Sequence, residues 1–142
     1  MIDISKKSPT SREAIVAGSV FLSHRAILAI KKGKLPKGDC LDAARFAGII
    51  AAKKTSELIP LCHPIQIDFV DIEFSIGKNE IKVRTTVKGF AKTGVEMEAL
   101  TATSVACLTI YDMCKAMDRD IVISDIKLIK KTGGKSGAYI RL

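Results

Sequence analysis

"IQIDFVDIEFSIGKNEIKVRTTVKGF", residues 65–90, alternates apolar and polar side chains on both sides of a short polar break. Ile65, Ile67 and Phe69 stand against Gln66 and Asp68. The phase slips near Val70-Asp71, where a β-bulge is expected, and resumes with Ile72, Phe74 and Ile76. After the "GKNE" turn, Ile81, Val83, Thr85 and Val87 repeat the period of two. Two such arms make an antiparallel hairpin with one buried face, and that face needs a cover.

The flanks supply it. Upstream, "REAIVAGSVFL" (12–22) is β-branched and apolar and reads as a strand. Ser23 can cap the helix that follows, in which Ala26, Ile27 and Ile30 share a face. "PKGD" breaks the chain, and Asp39 can cap a second helix over 40–59, closed by Pro60. Its Ala43, Ala44, Ala47, Ile50 and Ala51 form a smooth stripe suited to close helix packing. Downstream, a long helix begins near Val95–Glu98 and ends near Met117, with Leu100, Thr103, Ala106, Cys107, Ile110, Met113 and Cys114 as its stripe. "DIVISDIKLIKK" (120–131) is a last strand with an interruption expected at Ser124-Asp125, and "TGGKSG" (132–137) reads as a flexible basic tail loop. Setting one helix aside leaves βαββαβ. The expected fold is therefore α+β and ferredoxin-like, one domain over 1–142, an antiparallel sheet with helices on one face. The sheet's other face points to oligomerisation.

Composition narrows the function. With 142 residues, 47% hydrophobic, the chain can build a real core. No apolar run reaches membrane-spanning length and no leader-like apolar stretch opens the chain, so a cytoplasmic protein is expected. Cys40, Cys62, Cys107 and Cys114 make no CxxC pair, which predicts free thiols and no metal site. A net charge of +8 favours an anionic partner: nucleic acid, an acidic membrane surface or a phosphorylated small molecule. Aromatics are only 5%, thin for base stacking, and "KGFAKTG" (88–94) carries Lys-Gly-Phe without the further aromatics of an RNA-recognition strand. Lysines instead recur in glycine-rich loops, "GKLPKGD" (33–39) and "KKTGGKSG" (130–137), where backbone N–H groups reach phosphate oxygens. That recurrence favours a phosphorylated small ligand.

Three stretches can carry chemistry. "PLCHP" (60–64) clamps a Cys-His pair between prolines. His63 there is either a satisfied, partly buried histidine or an acid, base or donor in a rigid turn. "KTGVEMEAL" (92–100) turns into the long helix, whose free N–H groups attract anions. Glu96 and Glu98 either complement the helix dipole or order a polar group of a ligand. "IYDMCKAMD" (110–118) puts Asp112 and Lys115 on one helical face, as a surface ion pair or as a coupled pair able to move a proton.

Taken together, "KGDCLDAARFAGIIAAKKTSELIPLCHP" (37–64), "KTGVEMEALTATSVACLTIYDMCKAMD" (92–118) and "GGKSG" (133–137) resemble the molybdenum-cofactor biosynthesis protein C family, the cyclic pyranopterin monophosphate synthases. The likeness runs from "SREA" to "GGKSG"; "MIDISKKSP" is among the least diagnostic parts. It implies a lyase that converts 3′,8-cyclo-7,8-dihydro-GTP to cyclic pyranopterin monophosphate with loss of pyrophosphate. It implies no organic cofactor, with Mg²⁺ on the pyrophosphate as an option. The implied partner is a phosphorylated purine-derived molecule, not nucleic acid or a membrane. The implied assembly is a homohexamer, a trimer of dimers with sites at dimer interfaces. Carried over by position, Asp112, Lys115 and Lys37 are the implied catalytic residues. Leu61, Cys62, His63, Met97 and Glu98 are implied substrate contacts, with Glu96 in the same acidic turn and with Arg12 and Lys135.

Overall fold

In the computed structural model, which describes residues 1–142, the alternating stretch does form a hairpin. Strands β2 (Phe69–Ile76) and β3 (Glu80–Ala91) pair in one unbroken antiparallel register, from Phe69 opposite Lys88 to Ile76 opposite Ile81. No bulge interrupts it at Val70-Asp71. The phase slip has another cause: Ile65 and Ile67 lie in an extended lead-in outside the ladder, so the two apolar phases belong to two segments. Val70, Ile72, Phe74 and Ile76 consequently face the core, and Phe69 does not.

Strand β1 (Thr10–Phe21) pairs antiparallel with β3 on one side and with β4 (Val122–Thr132) on the other. The sheet order is β2-β3-β1-β4, the ferredoxin-like order, extended by a two-residue strand β5 (Tyr139–Ile140) that the sequence reading did not expect. The tail loop is thus the tip of a β4–β5 hairpin. β4 does break its register near Ser124-Asp125, where Asp125 adopts φ +55°, and again near Ile129.

Helices α1 (His24–Lys31), α2 (Cys40–Lys53), α3 (Thr55–Leu58) and α4 (Glu96–Cys114) complete the chain. Both expected caps form. Ser23 Oγ accepts from the Ala26 N–H, and Asp39 accepts from Leu41 and Asp42. α4 packs against both the sheet and α2, so it is buried over most of its circumference. Its Thr103 hydroxyl meets the Thr85 hydroxyl of β3 at 2.8 Å, keeping a buried polar pair satisfied.

The stripe of α2 is rotated from the expected one. The buried face is Cys40, Ala44, Gly48, Ala51 and Ala52, while Ile50 is 55% exposed. α2 rides too close to α4 to admit a large side chain. A Cβ on Gly48 would stand 2.9 Å from the Ala102 carbonyl and 2.4 Å from Ile72 Cδ1. Gly48→Ala is therefore expected to lower unfolding free energy by about 1–3 kcal/mol, read from urea midpoints, despite alanine's better helix propensity.

The helix-free sheet face exposes Phe21, Phe69 and Phe90, with Lys88 over the Phe69 ring at 5.4 Å. Two of its lysines share one carboxylate: Glu13 takes Lys130 at 2.9 Å and Lys88 at 3.4 Å. This is a poor phosphate-tracking surface for RNA. No helix is long and apolar enough to cross a membrane. All four cysteines are free.

Candidate active site

The N-terminus of α4 opens onto the main cleft. Its N-cap, Val95, is buried and offers no capping side chain, and the turn through Thr93 and Gly94 that leads into the helix lines the cleft. That space is a cleft of about 830 Å³ with no hydrophobic residue in its lining. Lys6, Lys7, Arg12, Lys92, Lys131 and Lys135 surround it, against one carboxylate, Glu96. Lys131 Nζ pairs with Glu96 at 3.0 Å and donates to Ser136 Oγ at 3.3 Å. Arg12 donates from Nε to the Ala91 carbonyl at 3.3 Å. Gly133 and Gly134, at φ +96° and +78°, lie against it; a Cβ on Gly134 would stand 1.9 Å from Arg12 Nη1. Only glycine lets the loop take that shape and that close approach. Six cations against a single carboxylate give this cleft a strong preference for an anionic ligand.

A second cleft of about 210 Å³ adjoins it, sharing Lys7, Thr93 and Gly94. Leu61, Cys62, His63, Met97 and Glu98 line it, under Ile2 and Ile4 of the N-terminal segment. Lys92 Nζ holds that segment through the Ser5 carbonyl at 3.2 Å. Glu98 is only 4% exposed and no cation pairs with it. Burial pushes its carboxyl up, and the charge of Glu96 adds to the push. A buried carboxylate facing a cleft is a receptor for N–H donors. Burial and the Glu98 charge also push the Cys62 thiol up, which leaves it protonated and a poor nucleophile.

The sign of the Glu98 shift has a stability consequence. With its native pKa above the ordinary 4.5, the fold binds that proton more tightly than the unfolded chain. Stability is full below the ordinary value and declines as pH rises through the native one. Glu98→Gln is thus expected to raise the melting temperature at neutral pH and remove that decline, while weakening substrate turnover by about 100-fold. Calorimetry against pH, beside steady-state kinetics, checks both halves.

A third cluster lies at the other end of α4. Asp112 sits between two lysines: Lys115 Nζ at 2.7 Å from Oδ1 and Lys37 Nζ at 2.5 Å from Oδ2. Lys37 also donates to the Asp112 carbonyl at 3.2 Å, tying the "PKGD" turn onto the helix end. Lys115, then Lys37, holds the Asp112 carboxyl down at about 2, and Asp112 in turn pushes Lys115 up. All three side chains are about half exposed.

The eleven expected site residues therefore fall into two groups. Arg12, Leu61, Cys62, His63, Glu96, Met97, Glu98 and Lys135 line the paired clefts; Lys37, Asp112 and Lys115 line neither. Asp112 stands fourteen positions after Glu98 on one helix, about 21 Å along its axis. Lys6, Lys7, Ile2 and Ile4 are lining residues with no counterpart among the expected ones, and Lys92 and Lys131 lie in stretches singled out above without being named as site residues. Lys131 carried a signal, since it belongs to the lysine- and glycine-rich stretch 130–137. The N-terminal segment carried little, since nothing local places it over the α4 turn.

A family model described as the MoaC family matches residues 1–134. A cyclic pyranopterin monophosphate synthase of Heliobacterium modesticaldum is 54% identical over 99% of this chain and 90% of its own length. A protein of the same description from Thermoanaerobacter pseudethanolicus is 53% identical over the same shares. Another from Clostridium perfringens is 55% identical over 98% of this chain and 89% of its own.

Proposed function

The chain belongs to the MoaC family, and from that premise we propose that it is a cyclic pyranopterin monophosphate synthase acting in molybdenum cofactor biosynthesis. The observation that supports this best is the pairing of clefts, a polyphosphate-sized cationic one beside a small one holding a buried carboxylate. Its substrate is 3′,8-cyclo-7,8-dihydro-GTP. The guanidine-like ring edge donates to Glu98 in the smaller cleft, beside His63 and Met97. The triphosphate lies among Lys7, Arg12, Lys131 and Lys135. Attack of a sugar hydroxyl on the α-phosphorus forms the cyclic ester and breaks the bond to pyrophosphate, whose growing charge these cations neutralise. Mg²⁺ carried on the pyrophosphate would find one carboxylate in the cleft, Glu96, within the one or two that Mg²⁺ takes beside phosphate oxygens. The reaction uses no organic cofactor. The cytosol, where four free thiols stay reduced, is its compartment.

Ring opening and reclosure need protons delivered, and the Lys37–Asp112–Lys115 cluster is the group equipped to deliver them. At about 21 Å along α4 it cannot serve the clefts of its own chain. The site is therefore composite, with the cluster of one chain over the clefts of another, in a homohexamer built as a trimer of dimers. Exposed apolar side chains border both halves. Leu108, 56% exposed, lies one turn before Asp112, and Leu61, 69% exposed, stands beside His63. Incubating the purified protein with the cyclised dihydro-GTP should release pyrophosphate and a pterin product together; no release at any salt or Mg²⁺ concentration would overturn the reading.

A further inference from the structure

We propose that Arg141, which lines neither cleft, is a positioning residue that sets the register of the glycine-rich loop over the polyphosphate end of the site. The proposal rests on the reading of that cleft given above. Against β1, Ile15 pairs with Lys130 and Val16 with Leu128, which leaves Ile129 as the extra residue of a bulge. In a regular strand consecutive carbonyls point to opposite edges; at a bulge the ladder is broken and two neighbours can face the same way. Here the carbonyls of Leu128 and Ile129 both accept from Arg141, one from Nε and one from the backbone N–H, each at 2.8 Å. One residue thus satisfies two consecutive carbonyls at the open edge.

That anchor matters because β5 has little else. Its ladder has two rungs, Ile140 against Lys130 and Tyr139 against Lys131, too few to define a register alone. A one-residue slip would turn its side chains over and change the length of chain spanning residues 133–138. That span holds the Gly134–Gly137 turn, closed at 3.2 Å, and the Ser136 hydroxyl that Lys131 donates to. It also holds Lys135 at the cleft wall. Arg141 fixes the far end of this span while Arg12, packed on Gly133 and Gly134, fixes the near one.

The test uses the full chain as wild type, Arg141→Ala and Arg141→Lys, with tripolyphosphate as the calorimetric probe at constant ionic strength. Lysine keeps the charge and the backbone N–H but lacks the planar Nε donor. Both variants are expected to raise the tripolyphosphate Kd and the substrate KM about tenfold, with kcat within about twofold and the melting temperature unchanged. Three outcomes overturn the proposal: wild-type affinity in both variants, rescue by lysine alone, or a loss of affinity that only tracks a fall in melting temperature. Failure of the wild-type protein to bind tripolyphosphate overturns instead the reading of the cleft on which the proposal stands.

Discussion

Lys115→Ala is expected to lower product formation by about a thousandfold, with melting temperature and oligomeric state unchanged. The two halves of that statement have separate grounds. Lys115, Asp112 and Lys37 are each about half exposed, and exposed ion pairs contribute little to stability. Their value lies in protonation. A lysine that acts as a base needs a lowered pKa, but Lys115 is pushed the other way by the carboxylate 2.7 Å from it. It is therefore an ammonium at neutral pH and a neutraliser of phosphate charge; the carboxylate makes it a weaker acid than a free lysine, so it gives its proton only to a strongly basic substrate atom. Asp112, held down at about 2, stays a carboxylate across the working range and keeps the ammonium aimed. Lys115→Arg separates the roles, because arginine keeps the charge but does not release its proton. A proton-donor role leaves Lys115→Arg at least about 100-fold below wild type in single-turnover assays. Near-normal turnover by Lys115→Ala would remove the cluster from the chemistry.

The elements were legible where a local rule decided them. Ser23 and Asp39 sit before apolar periodic runs and cap as such residues do. Asp125 marked the break in β4, and asparagine, aspartate and glycine are the residues that tolerate its φ of +55°. What periodicity could not resolve was which apolar face wins when a helix has two. α2 carries Phe46 and Ile50 on one side and Ala44, Gly48 and Ala51 on another; its closeness to α4 chose the small ones, and that distance is a tertiary fact. The same holds for β5, a two-residue strand that pairs beside a bulge in β4 whose carbonyls accept from Arg141. The candidate site residues come from the resemblance, and a resemblance carries no distances. The length of helix between Glu98 and Asp112 is what divides them into two groups within one chain.

Two inactive chains are expected to repair one another. Glu98→Gln damages the cleft half of the site and Lys115→Ala the proton-delivering half, at opposite ends of one helix. If each site combines the clefts of one chain with the cluster of its neighbour, a mixed dimer holds one doubly damaged site and one site with no damage at all. Random pairing of equal amounts makes half the dimers mixed, so about a quarter of all sites are restored. Co-expressed Glu98→Gln and Lys115→Ala chains should then reach about a quarter of wild-type activity per chain, far above the sum of the two variants assayed apart. Mixing two preparations without subunit exchange should restore nothing, which guards against contamination by active enzyme. A site confined to one chain forbids the gain, since every chain in the mixture still carries a lesion. Activity equal to the sum of the separate variants would sink the composite site. The cluster around Asp112 would then have to act at a place other than the clefts, because about 21 Å of rigid helix keeps it from reaching them within its own chain.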